Sequence, residues 1–306
     1  MVLGKQDLDM QFGNSKKPLV AVWMVTYNHA DYIAQAVESV MLQNTTFDYK
    51  LYIGDDCSTD KTGKICKKLK ELYPHKIELF LNKSNIGPTS NAQQIFKTCF
   101  GSSAKYVAML EGDDYWTDPL KLQKQVDFLE NNDDYVLCSH ERIIIDERSK
   151  EIKNSNISKV DFHTQCLLFR NVVRNDFLKN NLNITNGDTF LICYLLNFGK
   201  GKILEFIGSA YRVSSIGVWS KISFEEKYLN SSESLSNMKY FFKVNKYKYS
   251  VKIISDYIID NKIRYLKRGG KLKLNEHLNL FLYLVLRLKY STLKCYLLLI
   301  FNNYAK

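Results

Sequence analysis

Two adjacent carboxylates, Asp113 and Asp114, end the apolar run Tyr106–Leu110 within the segment Glu111-Gly112-Asp113-Asp114. A strand that stops on two acids places both in one short loop. Hard divalent cations such as Mg²⁺ or Mn²⁺ take oxygen ligands of this kind, keep several waters and are completed by substrate phosphates. The same pair serves equally well as a turn cap before the next helix. Other strand ends carry related chemistry. Val25-Thr26-Tyr27-Asn28 offers a ring that can stack on a base, with hydroxyl and amide groups for its edge. Asp55-Asp56-Cys57-Ser58-Thr59-Asp60 offers an acceptor for a base N–H or ribose hydroxyls, and Asn85-Ile86-Gly87 with Asn91 offers a loop whose glycine allows close backbone approach. The chain contains neither a GxxxxGK[ST] loop nor a GxGxxG turn, which argues against ATPase and dinucleotide chemistry.

These residues need a scaffold, and the first 140 residues supply one by alternating short β-rich runs with helical patterns, as βαβ units and a mostly parallel sheet do. The continuous apolar run Leu19–Thr26 suits a central strand buried on both faces. Further strands are predicted at Leu51–Ile53, Ile77–Leu81, Tyr106–Leu110, Val136–Ser139, Thr164–Phe169 and Ile203–Phe206. Helical stripes run through Ile33/Val37/Val40, Ile65/Leu69/Leu72, residues 91–100, Leu122/Val126/Leu129 and residues 188–197. Ser58, Thr59 and Asp60 are candidate caps for the second helix, and Asp118-Pro119 for the fourth. The polar clusters therefore fall at strand C-terminal ends, where an open α/β sheet binds its ligand.

In order and spacing, Val25–Asn28, Asp55–Asp60, Asn85–Gly87 and Glu111–Asp114 resemble family 2 glycosyltransferases of the bacterial surface-polysaccharide type. That resemblance implies the GT-A nucleotide-diphospho-sugar transferase fold, Rossmann-like and α/β, and an inverting, metal-dependent transfer from a donor, most simply a UDP-sugar, to a hydroxyl of a glycan or lipid-linked glycan. It also implies roles by position: Val25, Tyr27 and Asp56 hold the nucleoside, Asp113 meets ribose or ion, and Asp114 ligates Mn²⁺ or Mg²⁺ bridging the diphosphate. Asn28, Asn85, Gly87 and Asn91 join the donor site. Inversion needs one general base and no covalent nucleophile. Asp188, in Asn186-Gly187-Asp188 before a helix, occupies the place the family gives that base, and the same residue reads otherwise as a helix cap. Residues 211–220 resemble a Tyr-Arg-x-His-x-x-Gly-Val-Trp-Ser segment of a bacterial subset, with Ser214 where that subset has His; Arg212 is then a candidate phosphate partner.

Composition sets the remaining bounds. With 306 residues, 45% hydrophobic, the chain fits a globular catalytic domain with an appendage, placed at residues 18–225 after a tail of 1–17. The net charge of +11 sits almost wholly at the end: residues 239–306 carry 15 Lys or Arg against three acids. This basic helical extension, 226–306, includes the apolar run Leu278–Leu288, too short to span a bilayer. It suits either docking on an anionic inner-leaflet membrane surface or packing with solvated lysines. No nucleic-acid motif accompanies the charge. Seven scattered Cys without CxxC spacing and an N-terminus without an apolar h-region point to a reducing cytoplasm, with peripheral membrane attachment as the variant. His140 and Trp116 read as packing residues or, for Trp116, as an acceptor-site wall. Two rival readings are an inactive nucleotide-sugar-binding protein that keeps the fold and a basic membrane adaptor.

Overall fold

The structure, a computed structural model, describes residues 17–153, 161–179, 183–214, 222–286, 292, 296 and 297. Residues 1–16 of the tail, Ser215–Ser220 and the run beyond Leu286, apart from those three, lie outside the described residues.

The chain divides into two compact units, Met1–Leu178 with Phe198–Val213, and Lys179–Asn197 with Ser214–Lys306. The first is built on an eight-stranded sheet of order β3-β2-β1-β4-β7-β6-β8-β5. Its strands are β1 (Val20–Thr26), β2 (Tyr49–Asp55), β3 (Ile77–Leu81), β4 (Tyr106–Glu111), β5 (Tyr115–Trp116), β6 (Tyr135–Ile145), β7 (Leu168–Arg170) and β8 (Lys200–Arg212). Strands β3, β2, β1 and β4 are parallel, each joined to the next in sequence by a helix: α1 (Ile33–Met41), α2 (Thr62–Leu72) and α3 (Pro88–Gly101). The other half is mixed, with β7 antiparallel to β4 and β6, β8 parallel to β6, and β5 antiparallel to β8.

The core follows the periodicities. Val20, Val22 and Met24 of β1 pack with Leu51, Ile53, Ala108 and Leu110 of its neighbours. Ile33, Val37 and Val40 of α1, and Leu122, Val126 and Leu129 of α4 (Lys121–Glu130), close one face. Burying each such side chain stabilises by about 1.5–3 kcal/mol.

Three local expectations change. Residues 164–169 begin as a 3-10 turn, Thr164–Cys166, and only Leu168–Arg170 joins the sheet, because the Trp116 indole N–H takes the Gln165 carbonyl (3.0 Å). Helix α2 starts at Thr62, whose N–H donates to Asp60 Oδ1 (2.8 Å), while Ser58, Thr59 and the other Asp60 oxygen bind the loop after β1. Helix α4 starts at Lys121, beyond Pro119, while Asp118 accepts from the Leu120 N–H (2.8 Å) and from Lys124.

A short helix, α5 (Asn175–Leu178), belongs to the first unit; in the second, α6 (Gly187–Leu195) packs with α7 (Phe224–Val244) and α8 (Lys248–Lys267). The Phe190 ring sits 5.0 Å from Phe241, and the Ser250 hydroxyl donates to the Cys193 carbonyl. Tyr228 stacks on Tyr265 at 3.8 Å, and Ser223 and Glu226 form a reciprocal capping box at the start of α7. Helix α9 (Leu274–Leu286) buries Leu280 and Leu284. Residues 179–197 thus group with the C-terminal helices, so this unit begins inside the 18–225 span read as one domain.

Candidate functional site

The site lies at the C-terminal ends of β1, β2 and β4. Register brings Val25 beside Gly54 and Glu111, and Thr26 beside Asp55. The Gly112 N–H then donates to the Val25 carbonyl (3.0 Å) and the Asp56 N–H to the Thr26 carbonyl (3.1 Å), so three polar loops leave the sheet side by side. Gly112 is required there. A Cβ on it would stand 2.7 Å from Thr26 Oγ1 and 3.1 Å from His29 Nδ1.

The first loop presents Tyr27, 42% exposed, and turns at Asn28 with φ 56°. Asn28 is not free: its N–H donates to Ser58 Oγ (2.9 Å), and its Oδ1 accepts from the Thr59 N–H (2.8 Å). The His29 N–H donates to Thr62 Oγ1 (2.8 Å), and the Ala30 N–H to Asp60 Oδ2 (3.1 Å). The loops after β1 and β2 are therefore stitched together and present Tyr27 as one preformed edge.

Several residues expected to touch the donor are turned toward the protein. Asp56 is buried, and its oxygens accept from the Asn82 amide (3.1 Å) and the N–H groups of Ile86 (2.8 Å) and Gly87 (2.9 Å). It anchors the 82–87 loop. Asn91 is buried too, donating to the Gly54 carbonyl (2.9 Å) across a strand residue with no side chain to intervene. Asn85 is exposed and accepts from the Gly87 N–H (3.1 Å), while Gly87 takes the φ of +85° that precedes α3.

The carboxylate pair splits in the same way. The Asp113 side chain is 28% exposed, whereas Asp114 is 2% exposed, with Oδ1 accepting the Arg212 N–H (2.7 Å). Asp114 Oδ2 has no hydrogen-bond partner among the described residues. Burial, followed by the charges of Asp113 and Glu111, holds the Asp114 carboxyl well above the usual carboxylate range. Asp113, not Asp114, is the accessible oxygen donor. Arg212 also lies within the protein. It is buried, and its guanidinium donates to the carbonyls of Asp113 (2.8 Å), Asp146 (3.1 Å) and Glu147 (3.2 Å), to Ser149 Oγ (3.1 Å) and to Gln35 Oε1 (3.0 Å), over the Tyr32 ring. A guanidinium so engaged fixes the 111–114 loop and has no fork left for phosphate.

Two arrangements were not read from the sequence. His29 Nε2 stands 3.8 Å from Asp113 Oδ2, with Nδ1 3.2 Å from Thr26 Oγ1. Its signal was its place one residue beyond a polar strand end. Behind the loop, Lys121, Gln125, His140 and Gln165 are fully buried, and Lys121 Nζ, Gln125 Oε1, His140 Nε2 and Gln165 Nε2 lack hydrogen-bond partners among the described residues. Trp116 belongs to this layer, 4% exposed with Lys121 Nζ 3.9 Å from its ring, and so anchors the loop rather than walling an acceptor site. Burial pushes Lys121 down to about 7; burial and the Lys121 charge push His140 down to about 3.

Asp188 belongs to the second unit, in the first turn of α6, where Oδ1 accepts the Thr189 N–H (2.7 Å). Ser214 is described, and Ser215–Ser220 of the segment that resembles the bacterial subset lie outside the described residues.

Among the described residues, no group of three His, Cys, Asp or Glu stands ready to enclose a metal ion alone. The donor set still suits one. Asp113 offers hard oxygen at the surface, and a divalent ion of this class draws its remaining ligands from phosphate and water. Polar loops at the ends of adjacent parallel strands, beside an accessible carboxylate, define an α/β protein with a ligand site at its strand ends.

Comparison assigns the family. The family model for glycosyl transferase family 2 matches residues 21–196, and the chain belongs to that family. It is 34% identical over 157 residues to an uncharacterized protein of Mycobacterium tuberculosis, covering 51% of this chain and 44% of that one. It is 32% identical over 130 residues to the putative glycosyltransferase EpsE of Bacillus subtilis (42% and 45%). With the putative teichuronic acid biosynthesis glycosyltransferase TuaG of the same organism it shares 34% over 113 residues (37% and 42%). The chain spans about half the length of these curated relatives. Among solved structures, S. aureus TarS 1–349 in complex with UDP-GlcNAc superposes with a TM-score of 0.58 at 15% identity, covering 86% of this chain and 78% of TarS. Mannosyltransferase PcManGT from Pyrobaculum calidifontis, in complex with GDP-Man and Mn²⁺, gives 0.50 at 14% identity (95% and 89%). The fold is that of the GT-A glycosyltransferases, with helices in the C-terminal part.

Proposed function

We propose that this chain transfers a sugar, with inversion, from a nucleotide diphosphate, most simply a UDP-sugar, to a hydroxyl of a glycan or lipid-linked glycan in surface polysaccharide assembly. The observation that carries this reading is the accessible Asp113 carboxylate at the joined ends of β1, β2 and β4, in a member of glycosyl transferase family 2. Tyr27 and Val25 receive the base. The stitched 27–29 and 58–62 loops preset that edge, so little ordering cost accompanies binding. Asp113 would hold Mn²⁺ or Mg²⁺. When bound, the ion supplies Lewis-acid stabilisation of the departing nucleotide. Arg212 and Asp114 keep the Asp113 loop in place from behind. Asp188 takes the proton from the acceptor hydroxyl as the sugar–oxygen bond forms, without a covalent enzyme intermediate.

A lipid-linked acceptor gives the C-terminal helices a purpose. Leu274, Leu278, Phe281, Leu282, Val285 and Leu286 of α9 are exposed, beside the strongly basic composition of residues 239–306. An apolar stripe flanked by lysines suits the interface of an anionic bilayer, and no helix among the described residues is long and apolar enough to cross one. Residence on the cytoplasmic membrane face is part of the same proposal.

The reading is tested with a panel of nucleotide sugars, with Mn²⁺ or Mg²⁺, scored for nucleotide release by purified protein. Release from one donor, dependent on the ion, is expected. Binding of UDP with no release from any donor or acceptor mixture leaves an inactive nucleotide-sugar-binding protein instead.

A further inference from the structure

The imidazole of His29 faces the carboxylate of Asp113 in a geometry that the donor-site reading leaves unused. The residue is fixed at three points. The backbone N–H is held by Thr62 Oγ1 at 2.8 Å, the ring Nδ1 lies 3.2 Å from Thr26 Oγ1, and the missing Cβ of Gly112 makes room for it. The other nitrogen, Nε2, points to Asp113 Oδ2 at 3.8 Å. Both side chains remain about a quarter exposed, so this edge is open to solvent.

A separation of 3.8 Å is too long for a hydrogen bond. It does match one ion seated between two ligands. Legs of about 2.1 Å to nitrogen and oxygen span at most about 4.2 Å, so the gap accepts a small divalent cation with little movement. The partner of Nδ1 is of the right kind as well. A metal-bound imidazole donates its second ring N–H to a neighbouring oxygen, which fixes the tautomer and leaves the ligating nitrogen bare. Thr26 Oγ1 is such an oxygen, and it is buried on β1.

We infer that His29 is a direct protein ligand of the divalent ion in the donor-loaded site, through Nε2 and beside Asp113. The inference rests on the glycosyltransferase reading of the same site. It explains how the Asp113 carboxylate holds an ion while Asp114 is turned inward: an imidazole and a carboxylate from neighbouring strand ends, with phosphate and water filling the rest. An imidazole also favours Mn²⁺ over the harder Mg²⁺.

The test uses the full chain with UDP and Mn²⁺, read by electron paramagnetic resonance. Wild-type protein shows a ¹⁴N coupling on the bound Mn²⁺, and His29→Ala removes it. The same substitution weakens Mn²⁺ binding in the presence of UDP by about 10- to 100-fold. It leaves UDP binding without metal within about twofold, which shows an intact fold. His29→Gln, which keeps a polar side chain but no imidazole, also lacks the coupling. Mn²⁺ bound together with UDP but without nitrogen coupling in wild-type protein overturns the inference while leaving the donor-site reading intact. An unchanged Mn²⁺ affinity in His29→Ala does the same. Failure of wild-type protein to bind UDP with Mn²⁺ overturns both.

Discussion

Replacing Lys121 by methionine should stabilise this protein. Lys121 is fully buried at the start of α4, its Nζ has no hydrogen-bond acceptor among the described residues, and no carboxylate shifts it. Desolvation pushes its pKa from 10.5 to about 7, which corresponds to a penalty of about 4–5 kcal/mol on the charged form. The Trp116 ring, 3.9 Å from Nζ, returns up to about 2 kcal/mol to the ammonium. A net gain of about 2–3 kcal/mol is therefore expected for Lys121→Met at pH 7, raising Tm by about 4–8 °C. The pH dependence carries the signature. The folded-state pKa lies below the unfolded one, so the penalty is complete below about pH 7 and fades as pH rises toward 10.5. Thermal melts of both proteins at pH 6, 7, 8 and 9.5 should show the mutant's advantage shrinking in the alkaline samples. A mutant less stable than wild type, by an amount independent of pH, would show that the ammonium is matched by a partner inside the protein and refute the reasoning.

Other substitutions test the site from different sides. Arg212→Ala leaves the Asp113 carbonyl and four further oxygens without their guanidinium donor; at about 1–3 kcal/mol for a buried group left unsatisfied, thermal unfolding should move down by several degrees. An unchanged melt would return Arg212 to the pool of phosphate partners. Asp188→Asn should lower kcat by about 10²- to 10⁴-fold with UDP affinity retained, and a variant of wild-type rate removes Asp188 from the reaction. Vesicles containing phosphatidylglycerol should sediment the full chain, whereas vesicles of phosphatidylcholine alone should not. Replacing Leu278, Phe281 and Leu282 by serine should abolish that sedimentation, and equal sedimentation of both proteins would sink the membrane proposal.

The parallel half of the fold was legible because its central strands are buried on both faces and read as apolar runs, β1 above all. The strand-end position of the polar loops followed from the same pattern. Which side chain of each loop faces outward did not. Asp56, Asn91 and Arg212 have the chemistry of ligand contacts, but their direction is set by partners far along the chain: Ile86 and Gly87, the Gly54 carbonyl, and the Asp113 carbonyl. The order of roles within Asp113-Asp114 depended on β8, whose Arg212 N–H draws Asp114 inward. His29 had no ligand spacing to mark it, and only the β1–β4 pairing brings it to Asp113. Lys121 looks like a solvated residue of a helix first turn, and nothing local in its segment announces that it lies inside.

The proposed function has Asp113 hold the donor diphosphate through a divalent ion. Calorimetric titration of UDP with and without Mn²⁺, on wild-type protein and Asp113→Asn, tests it directly. Mn²⁺ should tighten UDP binding to the wild type at least tenfold, about 1.4 kcal/mol, and Asp113→Asn, with an unchanged melting curve, should lose this gain while still binding UDP weakly. Equal tightening by Mn²⁺ in both proteins, or no UDP binding by the wild type, would contradict it.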